Sequence, residues 1–450
     1  MRQLVNTTVA SPPRHAAPCM MLSTGSPVNT LIQAPAKSLA KSPAQAPAQE
    51  PAAPHTEASL VPSSKPGERD LRLDLFRGLA LWLIFLDHIP SNIVNWITIR
   101  NYGFSDAAEI FVFISGYTAA FVYGRAMREH GAVVAGARIL KRASQVYVAH
   151  IFLFVIYTAE ISYVARSFEN PLYGEEMGVL DFLKQPDVTL VQALLLKFKP
   201  ANMDVLPLYI VLLAGFPPML WLLLRRPNAA LGASMLLYIM TWYFDWNLPA
   251  YPNGNWVFNP FAWQLLFVFG AWCALGGAER LGSVVMSPLT LVIALLYLAF
   301  AFFIALTWYI PGLDALVPRQ LEELMYPIDK TNLDALRFAH FLCLAVVAIR
   351  IVPRHWSGLR SLWLRPAILC GQHSLGVFCL GVFLSFAAHF AMVEINEGVG
   401  MQIATSLLGI VVMVATAALI SWYKRIEGRS PGSRPEPPAG PGATLVGGGA

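Results

Sequence analysis

The chain has 450 residues, 56% of them hydrophobic and only 13% charged. A soluble protein of that size carries about 25% charged residues, so a water-solvated globule is excluded and an all-α, polytopic membrane bundle is expected. The formal charge of +5 is modest, and the sequence holds no basic stripe that would take a nucleic acid, so no such partner is expected.

Residues 1–68 are rich in Pro, Ala and Ser ("IQAPAKSLAKSPAQAPAQEPAAP"). That composition buries too little apolar surface to offset ordering entropy, and a disordered cytoplasmic tail is expected. It lacks the charged n-region and long apolar h-region of a signal peptide. A membrane domain follows over 69–425, and 426–450 reads as a second disordered tail. Apolar windows fall at 75–97, 105–124, 143–163, 205–224, 229–245, 258–275, 288–309, 335–350, 366–390 and 401–422. Judged against the roughly 20 residues that a spanning helix needs, they predict about ten crossings. With both termini cytoplasmic, the inner loops hold the larger share of Lys and Arg, including Arg125, Arg128, Arg138, Lys141 and Arg142. That bias sets the expected orientation.

The first window, "LDLFRGLALWLIFLDHIP", contains Asp74, Arg77, Asp87 and His88. Ionisable groups are costly in a bilayer and mark function by default. Eleven residues separate Arg77 from His88, which on a helix puts both on one face about 16 Å apart, Arg77 toward the inner end and His88 toward the outer. Asp74 can pair with Arg77 one turn on, and Asp87 is expected to face water. The next window opens with Asp106 and Glu109, three apart and at the same end as His88. A carboxylate there can orient an imidazole and stabilise its protonated form, as general-base catalysis on a hydroxyl requires. Ser115 and Gly116 are small enough to let two helices approach closely. Arg125-x-x-Arg128 closes the segment with two guanidiniums one turn apart, a pattern suited to polyphosphate.

Further along, the outer loop "DWNLPAYPNGNWV" combines Trp246, Tyr251 and Trp256 with three Asn residues. Aromatic faces and amides suit sugar rings; an interfacial aromatic belt is the plainer account. His150, His340, His373 and His389 lie in apolar runs, where packed and hydrogen-bonded core roles are expected, with His373 the strongest functional candidate among them. Five cysteines (Cys19, Cys273, Cys343, Cys370 and Cys379) show no paired spacing, so neither a metal site nor a disulfide framework is expected.

The segments "LRLDLFRGLALWLIFLDH" and "AAEIFVFISGYTAAFVYGRAMR" resemble the membrane acyltransferase-3 superfamily and, within it, the OpgC family. The late segment "ILCGQHSLGVFCLGVFLSF" is similar to that family's closing helix. The resemblance implies an inner-membrane enzyme that moves an acyl group, succinyl in the family's specific form, from cytoplasmic acyl-CoA to a periplasmic glucan. On that reading Arg77, Arg125 and Arg128 hold the donor phosphates, His88 is the base, and Glu109 or Asp106 steadies it. Trp246, Tyr251 and Trp256 then receive the acceptor. Acyl-CoA is a co-substrate and no bound cofactor is expected. Ser115, Tyr117 and Asn92 are oxyanion candidates by position alone. A different class, a proton-coupled secondary transporter of a sugar or organic anion, could use Arg77, His88 and Glu109 as its site; the two halves show no convincing repeat of the kind transporters carry.

Overall fold

The computed structural model describes residues 70–170 and 172–427. The expected tail over 1–68 lies outside the described residues, as does all of 426–450 except Ile426 and Glu427, which end the last helix. Among the described residues, regular structure is helical apart from one isolated bridge between Pro249 and Asn255.

Helix α1 spans Leu71–Asp87, capped by the Asp70 carboxylate, which accepts from Arg72 N at 3.0 Å. It stops well short of the expected window end at 97. Pro90 lacks an N–H and Ser91 sits at φ 55°, so the chain turns away into short 3-10 segments at Ile93–Ile97 and Ile99–Asn101. Helix α2 runs over Ala107–Ser167 and joins two expected windows. It is interrupted at Gly131, whose φ of 84° is open to a residue without a Cβ. Short helices α3 (Leu172–Glu176), α4 (Leu180–Lys184) and α5 (Pro186–Leu194) fill the long connection. Then follow α6 (Val205–Arg225), α7 (Pro227–Phe244) and α8 (Pro260–Trp272), the last continuing through a π-turn at Cys273–Gly277 into α9 (Ala278–Met286). The chain ends with α10 (Pro288–Thr307), α11 (Arg319–Met325), α12 (Ala335–Ile351), α13 (Arg365–Gln372), α14 (Ser374–Glu394) and α15 (Val399–Glu427).

Among the described residues, six helices are long and apolar enough to cross a membrane: α2, α6, the α8–α9 run, α10, α14 and α15. The protein is a membrane protein. The windows at 75–97, 229–245 and 335–350 become α1, α7 and α12, of 17, 18 and 17 residues. The window at 366–390 is broken at His373 into α13 and α14.

Helix α1 lies against α13, and α2 against both α6 and α8. Two glycine pairs bring these backbones together. A Cβ on Gly78 would meet the Ala367 carbonyl oxygen at 1.8 Å, and one on Gly371 the Asp74 oxygen at 1.9 Å. Likewise Gly116 faces Phe267 O at 1.9 Å and Gly270 faces Phe113 O at 2.2 Å. In a bilayer, where apolar burial between helices gains little over lipid, such close packing is a main source of association. Gly116→Ala is therefore expected to destabilise the protein by about 1–3 kcal/mol, seen as a lower Tm in detergent. Gly215→Ala, in α6 with nothing within 4 Å of its Cβ, should leave the Tm unchanged.

Candidate active site

Where α1 ends, a cavity of about 220 Å³ opens between α1, the start of α2 and the start of α6. His88 lines it as the C-terminal cap of α1, its own N–H donating to Ile84 O and Phe85 O. Its carbonyl accepts from Asn202 Nδ2 at 3.3 Å, so the segment before α6 fixes the backbone that carries the imidazole. The ring's Nδ1 is buried with no hydrogen-bond partner. Asp87 beside it also lines the cavity and accepts from Thr98 Oγ1 at 2.7 Å, so it is held rather than simply solvated.

The wall carries further charges beside apolar residues such as Ile84, Val205 and Phe258. Asp106, Asp204, Arg100 and Lys330 all face the cavity. Asp204 lies 4.0 Å from Lys199. Burial pushes the Asp204 carboxyl up to about 6, partly offset by Lys199, and burial pulls Lys199 down to about 8. The Lys199 ammonium in turn sits 4.1 Å above the Trp256 ring centre.

Asp106 and Glu109 form a capping box at the start of α2: Ala108 N donates to Asp106 Oδ1 at 2.8 Å, and Asp106 N to Glu109 Oε2 at 2.9 Å. Both carboxylates also take a cation. Lys330 Nζ is 2.6 Å from Asp106 Oδ2; Arg337 Nη2 is 3.2 Å from the same oxygen and 2.6 Å from Glu109 Oε1. Neither carboxylate bonds to His88. Glu109 is fully buried, and a carboxylate removed from water takes the nearest guanidinium before a neutral ring. Asp106 remains close enough for its charge to act on His88.

A second cavity, of about 130 Å³, lies toward the other end of α1. Arg77, Arg142, Ser115, Thr118 and Tyr209 are among its lining groups. Arg77 Nη2 donates to Ile114 O at 3.0 Å and to Thr118 Oγ1 at 2.6 Å, which ties the guanidinium to α2. The two cavities use successive turns of the same helices: Ala107 and Ala108 then Phe111 and Ser115 on α2, Val205 then Tyr209 on α6. Arg125 and Arg128 do not line either cavity; both are exposed, and Arg125 pairs with Glu129 at 2.7 Å.

The aromatic loop is not one platform. Trp256 is 3% exposed, with Lys199 on its face, so the expectation that it offers that face to a sugar is corrected: the loop folds inward there and sends Val257 and Phe258 to the His88 cavity. Trp246 is exposed and stacked on Phe244, and Tyr251 is half-buried against Phe198. Asn92 donates to Ser406 Oγ at 2.9 Å and caps the following turn. Asp74 is buried and accepts a long bond from Gln372 Nε2 at 3.5 Å. His340, His373 and His389 bond to Ser105, Ser421 and Glu176, whereas both ring nitrogens of His150 are buried without partners.

The sequence did not single out Arg337, Lys330, Asn202 or Asp204 as site residues, and Arg142 counted only among the inner-loop charges. Arg337 carried a usable signal, an arginine in the apolar window "ALRFAHFLCLAVV". Asn202 and Asp204 sit in an irregular segment whose path no periodicity predicts.

Removing the Arg337 charge leaves Glu109 and part of Asp106 buried without a counter-ion. Arg337→Met should cost about 3–5 kcal/mol, measured as loss of thermal stability. Glu109→Gln combined with Arg337→Met should cost less than the sum of the two single changes, as coupled partners do.

No curated protein and no solved structure matches the chain. A family model described as OpgC protein matches residues 69–425, a span that contains both cavities and the charge network. The chain belongs to the OpgC family.

Proposed function

We propose that the protein is an inner-membrane O-acyltransferase that moves an acyl group, succinyl in the specific form, from cytoplasmic acyl-CoA to hydroxyls of a periplasmic glucan. Family membership supports a role in modifying osmoregulated periplasmic glucans. The observation that carries the acyl-transfer reading is the pairing of cavities along α1, one holding the imidazole of His88 and the other the guanidinium of Arg77.

The crossings are proposed as ten: α1, the two halves of α2 on either side of Gly131, α6, α7, α8, α10, α12, α14 and α15. With both termini cytoplasmic, this count sets the His88 cavity on the periplasmic side and the Arg77 cavity toward the cytoplasm. Arg77 and Arg142 then bind donor phosphate inside the inner cavity, and Arg125 and Arg128 receive the nucleotide end on the exposed surface. The pantetheine arm passes Phe111, Leu206 and Phe378, which line the Arg77 cavity.

In the outer cavity the acceptor hydroxyl oxygen attacks the thioester carbonyl carbon. A carbon–oxygen ester bond forms as the carbon–sulfur bond breaks. The hydroxyl proton passes to His88 and from there to the departing thiolate, leaving the free thiol of CoA. Asp106, held by Lys330 and Arg337, stabilises the transient imidazolium through space, and Glu109 keeps Arg337 in place. Trp246 and Tyr251 offer the glucan an outer contact surface.

His88→Ala should lower transfer by at least about 100-fold, read by mass spectrometry of periplasmic glucans from cells expressing each form at matched membrane levels. Full substitution by that variant would overturn the mechanism. Proton-driven uptake of a sugar or organic anion into liposomes, with no acyl donor present, would favour the transporter reading instead. For the donor side, Arg77→Ala with Arg142→Ala should raise the KM for acyl-CoA at least about 10-fold, and more than Arg125→Ala with Arg128→Ala does; equal donor affinity in all forms would remove the phosphate assignment.

A further inference from the structure

Arg100 stands at the wall of the His88 cavity in a state unlike that of its charged neighbours. Lys330 is committed to Asp106 at 2.6 Å, Asp106 is shared with Arg337, and Asp204 has Lys199 at 4.0 Å. Asp87 is satisfied by the Thr98 hydroxyl at 2.7 Å. Arg100 makes no hydrogen bond and no ion pair among the described residues, yet its charge acts on both Asp87 and His88. It sits on the short 3-10 turn Ile99–Asn101, which is fastened from both sides. Asn101 Nδ2 donates to Asn95 O at 2.7 Å and Tyr309 Oη to Asn101 Oδ1 at 2.8 Å. A guanidinium left open on a fixed turn, facing the cavity that holds the base, is arranged for an anion.

The phosphates of a CoA donor cannot be that anion if they lie at Arg77, since His88 and Arg77 are about 16 Å apart along α1. What reaches the His88 cavity is the thioester end of the donor. We propose that Arg100 binds a carboxylate at the far end of the acyl group, so that the cavity selects a dicarboxylic acyl chain over a neutral one of the same length. In a four-carbon chain, three carbon–carbon bonds of about 1.5 Å separate the reacting carbonyl carbon from that carboxylate carbon. One cavity can therefore hold both ends, with the thioester at His88 and the carboxylate at Arg100. The carboxylate takes no part in bond making. This inference rests on the acyl-transfer reading, and concerns only which acyl group is accepted.

The test compares succinyl-CoA with butyryl-CoA as donors to a neutral glucan oligosaccharide, using the full-length protein in liposomes. Wild type is expected to prefer succinyl. Arg100→Gln should reduce the succinyl-to-butyryl ratio of kcat/KM by about 10- to 100-fold, and Arg100→Lys should restore part of it. A ratio unchanged in Arg100→Gln, with wild type active, overturns the assignment while leaving acyl transfer intact. A ratio unchanged on neutral glucan together with lost discrimination between anionic and neutral acceptors also overturns it, and moves the anion to the acceptor. Wild type that transfers from neither donor overturns the acyl-transfer reading itself, and this inference with it.

Discussion

Four charges meet where α2 begins, and the His88 cavity is shaped by their pairing. Asp106 and Glu109 cap the helix, Lys330 comes from the loop before α12, and Arg337 comes from the first turn of α12 itself. Each carboxylate would be expensive to bury alone, and the cost of breaking such a network exceeds what any one of its hydrogen bonds contributes. Its consequence is positional. Asp106 and Lys330 are both wall residues of the cavity, so the pairing that stabilises the helix start also fixes the distance between the α2 and α12 sides of the site. The capping box adds direction, because it sets where α2 starts and therefore which of its faces turns to α1.

The glycine contacts do for the helices what the charges do for the cavity. Gly78 with Gly371, and Gly116 with Gly270, let α1 sit on α13 and α2 on α8 at backbone contact. Each pair leaves no slack for the helices to slide. Close backbone contacts of this kind suit the proposed role, in which two substrates must be aligned. The apolar lining of the Arg77 cavity is of another kind. Phe111, Leu206 and Phe378 are buried but apolar and unbonded, and side chains held only by packing can change rotamer without breaking a polar contact.

What the sequence could reveal followed from local rules. The Arg77–His88 spacing predicts one helix face, and α1 carries Arg77 within it and His88 as its C-terminal cap. The closeness of helices at Gly116 follows from its size. The pairing of Glu109 was not legible, because the competing partner, Arg337, lies more than two hundred residues away and only the tertiary packing decides which charge arrives first. Trp256 was misjudged for a related reason. An aromatic residue in a polar loop looks available, but Lys199 needs a face on which to rest, and the loop turns inward to supply it. The span of α1 was overestimated because hydropathy averages across Pro90 and Ser91, where backbone geometry ends the helix.

On the proposed mechanism, a base without a directly bonded carboxylate changes how the site works. In a hydrolase triad the acid touches the imidazole and fixes its tautomer; here His88 Nδ1 has no partner and the nearby acids are engaged elsewhere. On the proposed mechanism the imidazolium formed during proton transfer is stabilised through space by Asp106, against the opposing charges of Lys330 and Arg100. An anionic acyl chain on Arg100 would cancel the Arg100 share of that opposition at the moment the base is needed. Binding the correct donor would thus lower the cost of protonating His88, while a neutral donor would leave the cation uncompensated. Selectivity and catalysis would share one guanidinium, and discrimination would be expressed in the chemical step as well as in binding.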